Sequence, residues 1–187
     1  MSDFKGKKIA ILGFGTEGIS VAQFLVSQGA KPSVFDVRGE DKFGENVLEN
    51  FKKKGVYFQF DSYPKDFSEF NLVIRSPGIS PLSSVIERVR SQEVEVTSVT
   101  KIFFDLCPCP IIGVTGTKGK GTTASLIYEM LKKQGTDAYL GGNIGLPPLD
   151  FLSALKSNSL VVLELSSFQL QDLTRSPKIA VVLMLTS

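Results

Sequence analysis

Lys8-Ile9-Ala10-Ile11-Leu12-Gly13-Phe14-Gly15-Thr16-Glu17-Gly18 passes from a continuously apolar stretch into a G-x-G-x-x-G turn, and Ile19 to Gln28 beyond it carries a helical pattern closed by Gly29. An apolar run without polar alternation reads as a strand buried on both faces, the habit of parallel sheets. A strand that ends in glycines and feeds a helix opens a βαβ unit. The same order returns at Ile111–Val114, followed by Gly116-Thr117-Lys118-Gly119-Lys120-Gly121-Thr122-Thr123 and a helix over Thr122–Gln134. Two such openings predict an α/β protein: a Rossmann-like domain over 1–96, then a P-loop-type α/β domain over 97–187. The second is expected to be truncated, because Ser187 directly follows the apolar strand Ile179–Leu185, where a parallel strand ordinarily continues into a loop and helix.

The stretches between these openings agree with that reading. Pro32–Phe35, ending at Asp36, Val56–Phe60 and Leu72–Arg75 read as strands, the last running into the turn Ser76-Pro77-Gly78. Phe43–Lys54 and Pro81–Ser91 read as helices. The pattern restarts near Val94–Lys101, and a helix over Val99–Leu106 leads to the breaks at Pro108 and Pro110. Ala138–Leu140 and Leu160–Glu164 are further strands.

Composition narrows the chemistry. Hydrophobic residues make up 42% of the 187 and charged residues 21%, with a net charge of +2, which argues for neither a nucleic-acid partner nor a membrane surface. No stretch reaches the roughly 18 apolar residues of a spanning helix, and Met1–Lys8 lacks a signal-peptide core, so cytoplasmic residence is expected. A monomer is expected as well. The basic cluster Lys5, Lys7 and Lys8 reads as a solvated terminus. Cys107 and Cys109 stand two apart, which is neither a redox CxxC nor a zinc knuckle, and read as ordinary linker residues. Histidine is absent, which removes the usual general base and nucleophile pairings and leaves phosphate, metal and carboxylate chemistry.

The first turn suits a diphosphate. Its glycines permit close backbone approach, the helix N-terminus offers N–H groups, and Asp36 at the next strand tip can accept from a ribose hydroxyl or a base N–H. Read alone, it fits NAD as well as another nucleotide, or a tight turn with no ligand. In the second turn a loop of backbone N–H groups would cradle phosphates, with Lys120 as a point charge and Thr122 as the hydroxyl for Mg²⁺. Its leading glycine, Gly113, falls one residue out of the general P-loop register, and Gly121 stands where Ser or Thr is usual. Glu164, ending Leu160-Val161-Val162-Leu163, supplies a hard oxygen for the same ion.

Gly113-Val-Thr-Gly-Thr-Lys-Gly-Lys-Gly-Thr-Thr123, Gly141-Gly-Asn-Ile-Gly145 and Val162-Leu-Glu-Leu-Ser-Ser-Phe-Gln-Leu170 together resemble the Mur ligase family, and within it the branch that joins D-glutamate to UDP-N-acetylmuramoyl-L-alanine. The resemblance covers essentially the whole chain. It implies that the first domain holds the UDP portion of the muramoyl substrate and not NAD. Gly15, Thr16, Glu17 and Gly18 would face the diphosphate and uracil, Asp36 and Arg38 would flank the uracil, and Ser76, Pro77 and Gly78 would close over the nucleotide. Asn143 and Ser167 match positions at the sugar–diphosphate or alanyl end. ATP would lie on Gly116 to Thr123, with Lys120 and Glu164 as the catalytic groups and Thr122 and Glu164 on Mg²⁺. The implied reaction, a step of cytoplasmic peptidoglycan precursor synthesis, phosphorylates the substrate carboxylate and lets the amine of D-glutamate attack the acyl phosphate.

The resemblance also implies differences. Lys118 stands where Asn or another uncharged residue is usual, and Gly121 replaces Ser or Thr as in folylpolyglutamate synthases. The family's Asp-His pair, carbamylated lysine and C-terminal domain have no counterpart here, so the chain is expected to bind substrate without full activity. Three rivals are distinguishable. An NAD-dependent oxidoreductase leaves Gly116–Thr123 and Glu164 unexplained. A P-loop switch protein would bind ATP and no uridine ligand. Another Mur or folate-branch ligase conflicts with Leu165-Ser-Ser-Phe-Gln169.

Overall fold

The computed structural model describes residues 4–185, and Ser187, on which the expectation of truncation rests, lies outside them. The chain forms two compact units, Met1–Val99 and Thr100–Ser187.

The first unit is a five-stranded parallel sheet in the order β3-β2-β1-β4-β5. Its strands are β1 (Lys8–Leu12), β2 (Lys31–Phe35), β3 (Tyr57–Gln59), β4 (Leu72–Arg75) and β5 (Glu95–Ser98). The helices are α1 (Thr16–Ser27), α2 (Glu45–Lys53) and α3 (Ser84–Ser91). Because successive strand residues point to opposite faces, Ala10 and Leu12 face one side of the sheet, where they join Val73 and the α3 residues Val85, Ile86 and Val89. Ile9 and Ile11, both fully buried, fill the other face. Each such side chain contributes roughly 1.5–3 kcal/mol by leaving water. Strand order reverses at β1: its helix leads to β2 on one side, while β4 and β5 lie on the other, so the carboxyl ends of β1 and β4 flank a topological switch point.

The second unit holds a four-stranded parallel sheet in the order β7-β8-β6-β9. Here α4 (Val99–Leu106) precedes β6 (Ile111–Thr115), α5 (Lys120–Lys133) and β7 (Ala138–Gly142). After them come the short α6 (Pro148–Phe151), β8 (Leu160–Glu164), α7 (Ser167–Leu170) and β9 (Ile179–Val182). Ile112, Val114, Val162 and Ala124 form its buried centre, and Ile127, Tyr128 and Leu131 of α5 pack against it.

Three differences from the sequence reading have physical causes. α1 begins at Thr16 and α5 at Lys120, so Gly18 and Gly121 are helical and not part of the turns. At Gly18 a Cβ would collide with the carbonyl oxygen of Gly13, so glycine is there for close helix–strand packing. β5 was not expected, because three of the four residues in Glu95-Val96-Thr97-Ser98 are polar; it pairs only with β4, as an edge strand. β9 ends at Val182, yet Leu183 N–H still donates to Thr115 O at 2.8 Å, so the chain continues alongside β6.

Candidate functional site: two glycine turns at two sheet edges

In the first unit the predicted residues converge on the carboxyl ends of the neighbouring strands β2, β1 and β4. Gly13 adopts φ +90°, a conformation that favours glycine, and its N–H donates to Phe35 O at 2.8 Å. Gly15 caps α1 without a side-chain bond, and a Cβ there would meet nothing within 4 Å. The space over Gly15 and the first N–H groups of α1 is therefore open to a phosphate. Thr16 is exposed there, Glu17 is half-buried, and Gly18 is buried beneath. Across the switch point, Ser76 Oγ donates to Gly13 O at 3.1 Å and ties the Ser76-Pro77-Gly78 turn to the glycine turn.

Asp36 is buried, and its carboxylate is already occupied. Oδ2 accepts from Phe14 N–H at 2.7 Å and from Arg38 Nη2 at 2.7 Å. Oδ1 accepts from Arg38 N–H and Arg38 Nε, both at 2.9 Å. Four donors match the roughly four lone-pair sites of a carboxylate. Burial pushes this carboxyl up, but the bonds from the Arg38 side chain and the two backbone N–H groups, with the guanidinium charge, outweigh it and hold the pKa below the ordinary 3.8. The group presented outward is Arg38, whose side chain is 50% exposed and whose guanidinium carbon lies 4.8 Å from the Phe43 ring centre. Such a contact contributes about 0.5–1 kcal/mol.

Sequence reasoning missed two supports of this edge. Arg75, buried at the end of β4, donates from Nη1 to Ile79 O at 2.7 Å and braces the turn that Ser76 begins. Phe43 stacks on Phe60 at 5.2 Å between ring centres and so fixes the plane on which Arg38 lies. An arginine directly before Ser-Pro-Gly was a legible sign of the first; nothing local marked the second.

In the second unit, Gly116 to Thr123, Asn143, Glu164 and Ser167 gather at the ends of β6, β7 and β8, again adjacent strands. Gly116 (φ +138°) leaves no room for a side chain, since a Cβ would lie 2.8 Å from Leu183 Cβ. Gly119 (φ +83°) caps α5 in a left-handed conformation. Thr117 N–H is taken by Met184 O at 3.0 Å and Thr123 N–H by Gly119 O at 2.9 Å, so neither is spare for a phosphate. Lys120 begins that helix and curls back, with Nζ 3.3 Å from Thr117 O. Lys118 and Thr122 are exposed, and Gly121 and Thr123 are half-buried.

Glu164 is the Cα partner of both Val114, two residues before the glycine turn, and Gly142. Gly142 (φ +106°) admits no Cβ, which would collide with Glu164 O, and Asn143 N–H donates to that same oxygen at 3.2 Å. Ser167 is exposed at the start of α7, which a capping box between Ser166 and Gln169 secures. Thr115 Oγ1, also missed from sequence, donates to Leu165 O at 2.8 Å and locks β6 to the end of β8. Among the described residues no three His, Cys, Asp or Glu side chains cluster as a metal cage. One carboxylate beside a phosphate turn fits Mg²⁺, which takes few protein ligands and completes its shell with phosphates and water.

Parallel α/β units with a glycine turn at the switch point define a nucleotide-binding class of protein. The comparisons make the class specific. Residues 7–98 match the Mur ligase MurD-like N-terminal domain, and residues 114–187 match the Mur ligase middle domain. The chain belongs to the Mur ligase family. It is 41% identical over 187 residues to the UDP-N-acetylmuramoylalanine--D-glutamate ligase of Acetivibrio thermocellus, covering 97% of this chain and 40% of that protein. The enzyme of the same name from Buchnera aphidicola subsp. Schizaphis graminum is 38% identical, over 98% of this chain and 41% of the relative. The chain thus spans about 40% of the length of these curated relatives. The fold is shared with the UDP-N-acetylmuramate:L-alanyl-gamma-D-glutamyl-meso-diaminopimelate ligase of Neisseria meningitides (TM-score 0.54, 18% identity, 96% of this chain and 61% of that one). Among the described residues, no helix is long and apolar enough to cross a membrane.

Proposed function

We propose that the first unit binds the UDP portion of UDP-N-acetylmuramoyl-L-alanine and the second binds ATP with Mg²⁺, as the front part of a ligase that adds D-glutamate. The observation that supports this best is the contrast in charge equipment between two glycine turns of one chain. The first turn has its carboxylate consumed by Phe14 N–H and Arg38, and holds out an arginine beside open space over Gly15. A dinucleotide site needs that carboxylate for the ribose hydroxyls. A site for uridine needs a flat cation for the base and N–H groups for the diphosphate, which Arg38 and Gly15 to Gly18 offer, with Asp36 holding Arg38 in place and Ser76, Pro77 and Gly78 as the opposite wall.

In the second unit, Lys120 neutralises phosphate charge, Glu164 and Thr122 hold the metal, and Gly116, Thr117, Lys118, Gly119, Gly121 and Thr123 shape the cradle. Bound ATP–Mg²⁺ supplies the phosphoryl group that activates the substrate carboxylate. This chain's residues orient that group and offset its charge, which is where catalysis of phosphoryl transfer lies. Asn143 and Ser167 are assigned to the sugar–diphosphate or alanyl end. No residue of this chain is assigned to D-glutamate.

Calorimetric titration with UDP-N-acetylmuramoyl-L-alanine and, in parallel, NAD tests the reading. Saturable uridine-ligand binding weakened by Arg38→Ala supports it. NAD binding by a folded sample that ignores the uridine ligand overturns it in favour of a dehydrogenase-type site.

A further inference from the structure

We propose that Cys107 and Cys109 form a reversible dithiol–disulfide site, oxidised by low-molecular-weight disulfides through a bond between the two sulfurs. Their spacing in sequence matches no common redox motif, but the fold brings Cys107 Sγ and Cys109 Sγ to 3.7 Å, both partly exposed. A disulfide needs about 2.05 Å, so closure asks for a movement of roughly 1.6 Å, within the reach of side-chain rotation.

The backbone on either side is held, which keeps the pair together. Cys107 N–H closes α4 through Phe103 O at 2.8 Å, and Pro110 O accepts from Val161 N–H of β8 at 3.1 Å. Pro108 and Pro110 restrict φ and limit how far the thiols drift apart, raising their effective concentration. Burial pushes the Cys109 thiol up, helped by the neighbouring Cys107 charge, the contact with Cys107 and the Asp137 carboxylate, to about 12. The upward shift disfavours Cys109 as the first nucleophile, so first attack is assigned to Cys107.

The chemistry balances without any group from the nucleotide sites. The Cys107 thiolate attacks one sulfur of a disulfide such as oxidised glutathione, forming a mixed disulfide and releasing one glutathione thiolate. Cys109 loses its proton to solvent and attacks the Cys107 sulfur, closing the intramolecular bond and releasing the second thiolate. The protein loses two electrons and two protons, and the oxidant is reduced to two thiols.

The test is intact-mass and free-thiol measurement on the folded chain equilibrated in graded reduced and oxidised glutathione without oxygen. Both thiols should disappear together, with a mass lower by two hydrogens, no adduct, and full recovery on reduction. Cys109→Ser should instead trap a lasting glutathione adduct on Cys107. Two thiols surviving in fully oxidised buffer, a stable adduct on the unmutated chain, or disulfide-linked pairs of chains would each overturn the proposal.

Discussion

The turns Gly13–Gly18 and Gly116–Thr123 share one local plan, a buried parallel strand, a positive-φ glycine and a glycine-capped helix start without a side-chain bond, yet they differ in where their charge goes. At the first edge the acid is satisfied inside the protein and a planar cation faces outward on an aromatic ring. At the second, two lysines stand on the turn and a carboxylate ends the adjacent strand. Each turn presents a helix N-terminus of the kind a phosphate accepts from; the neighbouring strands set the charge beside it. The proposed functions follow from those neighbours more than from the glycines.

The contrast can be broken most severely at its shared element. Gly18→Ala forces a Cβ into Gly13 O and should cost the first unit about 3 kcal/mol by overpacking. Denaturant unfolding should show that loss, while ATP–Mg²⁺ binding by the second unit is kept. A smaller, ligand-specific effect is expected of Lys120→Ala. Losing charge-assisted contacts of about 2–3 kcal/mol should weaken ATP–Mg²⁺ binding about 100-fold and leave uridine-nucleotide binding unchanged, as calorimetry would show.

Asp36→Ala frees Arg38 and leaves the buried Phe14 N–H unpaired, so a cost of roughly 2 kcal/mol to the first unit is expected, with weaker uridine-ligand binding. The pH dependence has the same origin. The folded pKa of Asp36 lies below 3.8, so its stabilisation is complete above that value and is lost as pH falls through the folded pKa. Acid unfolding of the first unit should show this loss, and Asp36→Asn should remove the dependence. The smallest effect is expected at Gly121→Ser. Its Cβ would meet Ile144 Cγ2 at an ordinary 3.5 Å, and removing a helical glycine should raise the stability of the second unit by about 0.5 kcal/mol. The added hydroxyl should tighten ATP–Mg²⁺ binding a few-fold.

Much of the fold was legible because short, continuous apolar runs bounded by glycine, proline or an acid suit buried parallel strands. β1, β4 and β8 and the helix α4 begin and end where that pattern places them. Glycines misled at the helix starts, since Gly18 and Gly121 look like turn residues until the space around them is known. That the named residues would gather at the carboxyl ends of neighbouring strands was legible, but their contacts were not. That Asp36 accepts from Phe14, 22 residues earlier, depends on strand order, and no spacing announces it. Cys107 and Cys109 show the same limit: their spacing argued against redox chemistry, and only the path between α4 and β6 shows the sulfurs side by side.

The most direct test is residue-resolved NMR of the isotope-labelled chain, titrated first with UDP and then with ADP–Mg²⁺. UDP should shift the amides of Gly13 to Gly18, Asp36 to Arg38 and Ser76 to Gly78 alone. ADP–Mg²⁺ should then shift Gly116 to Thr123 and Glu164 alone. Both ligands moving the same turn, or UDP leaving Arg38 untouched while shifting the second turn, would contradict it.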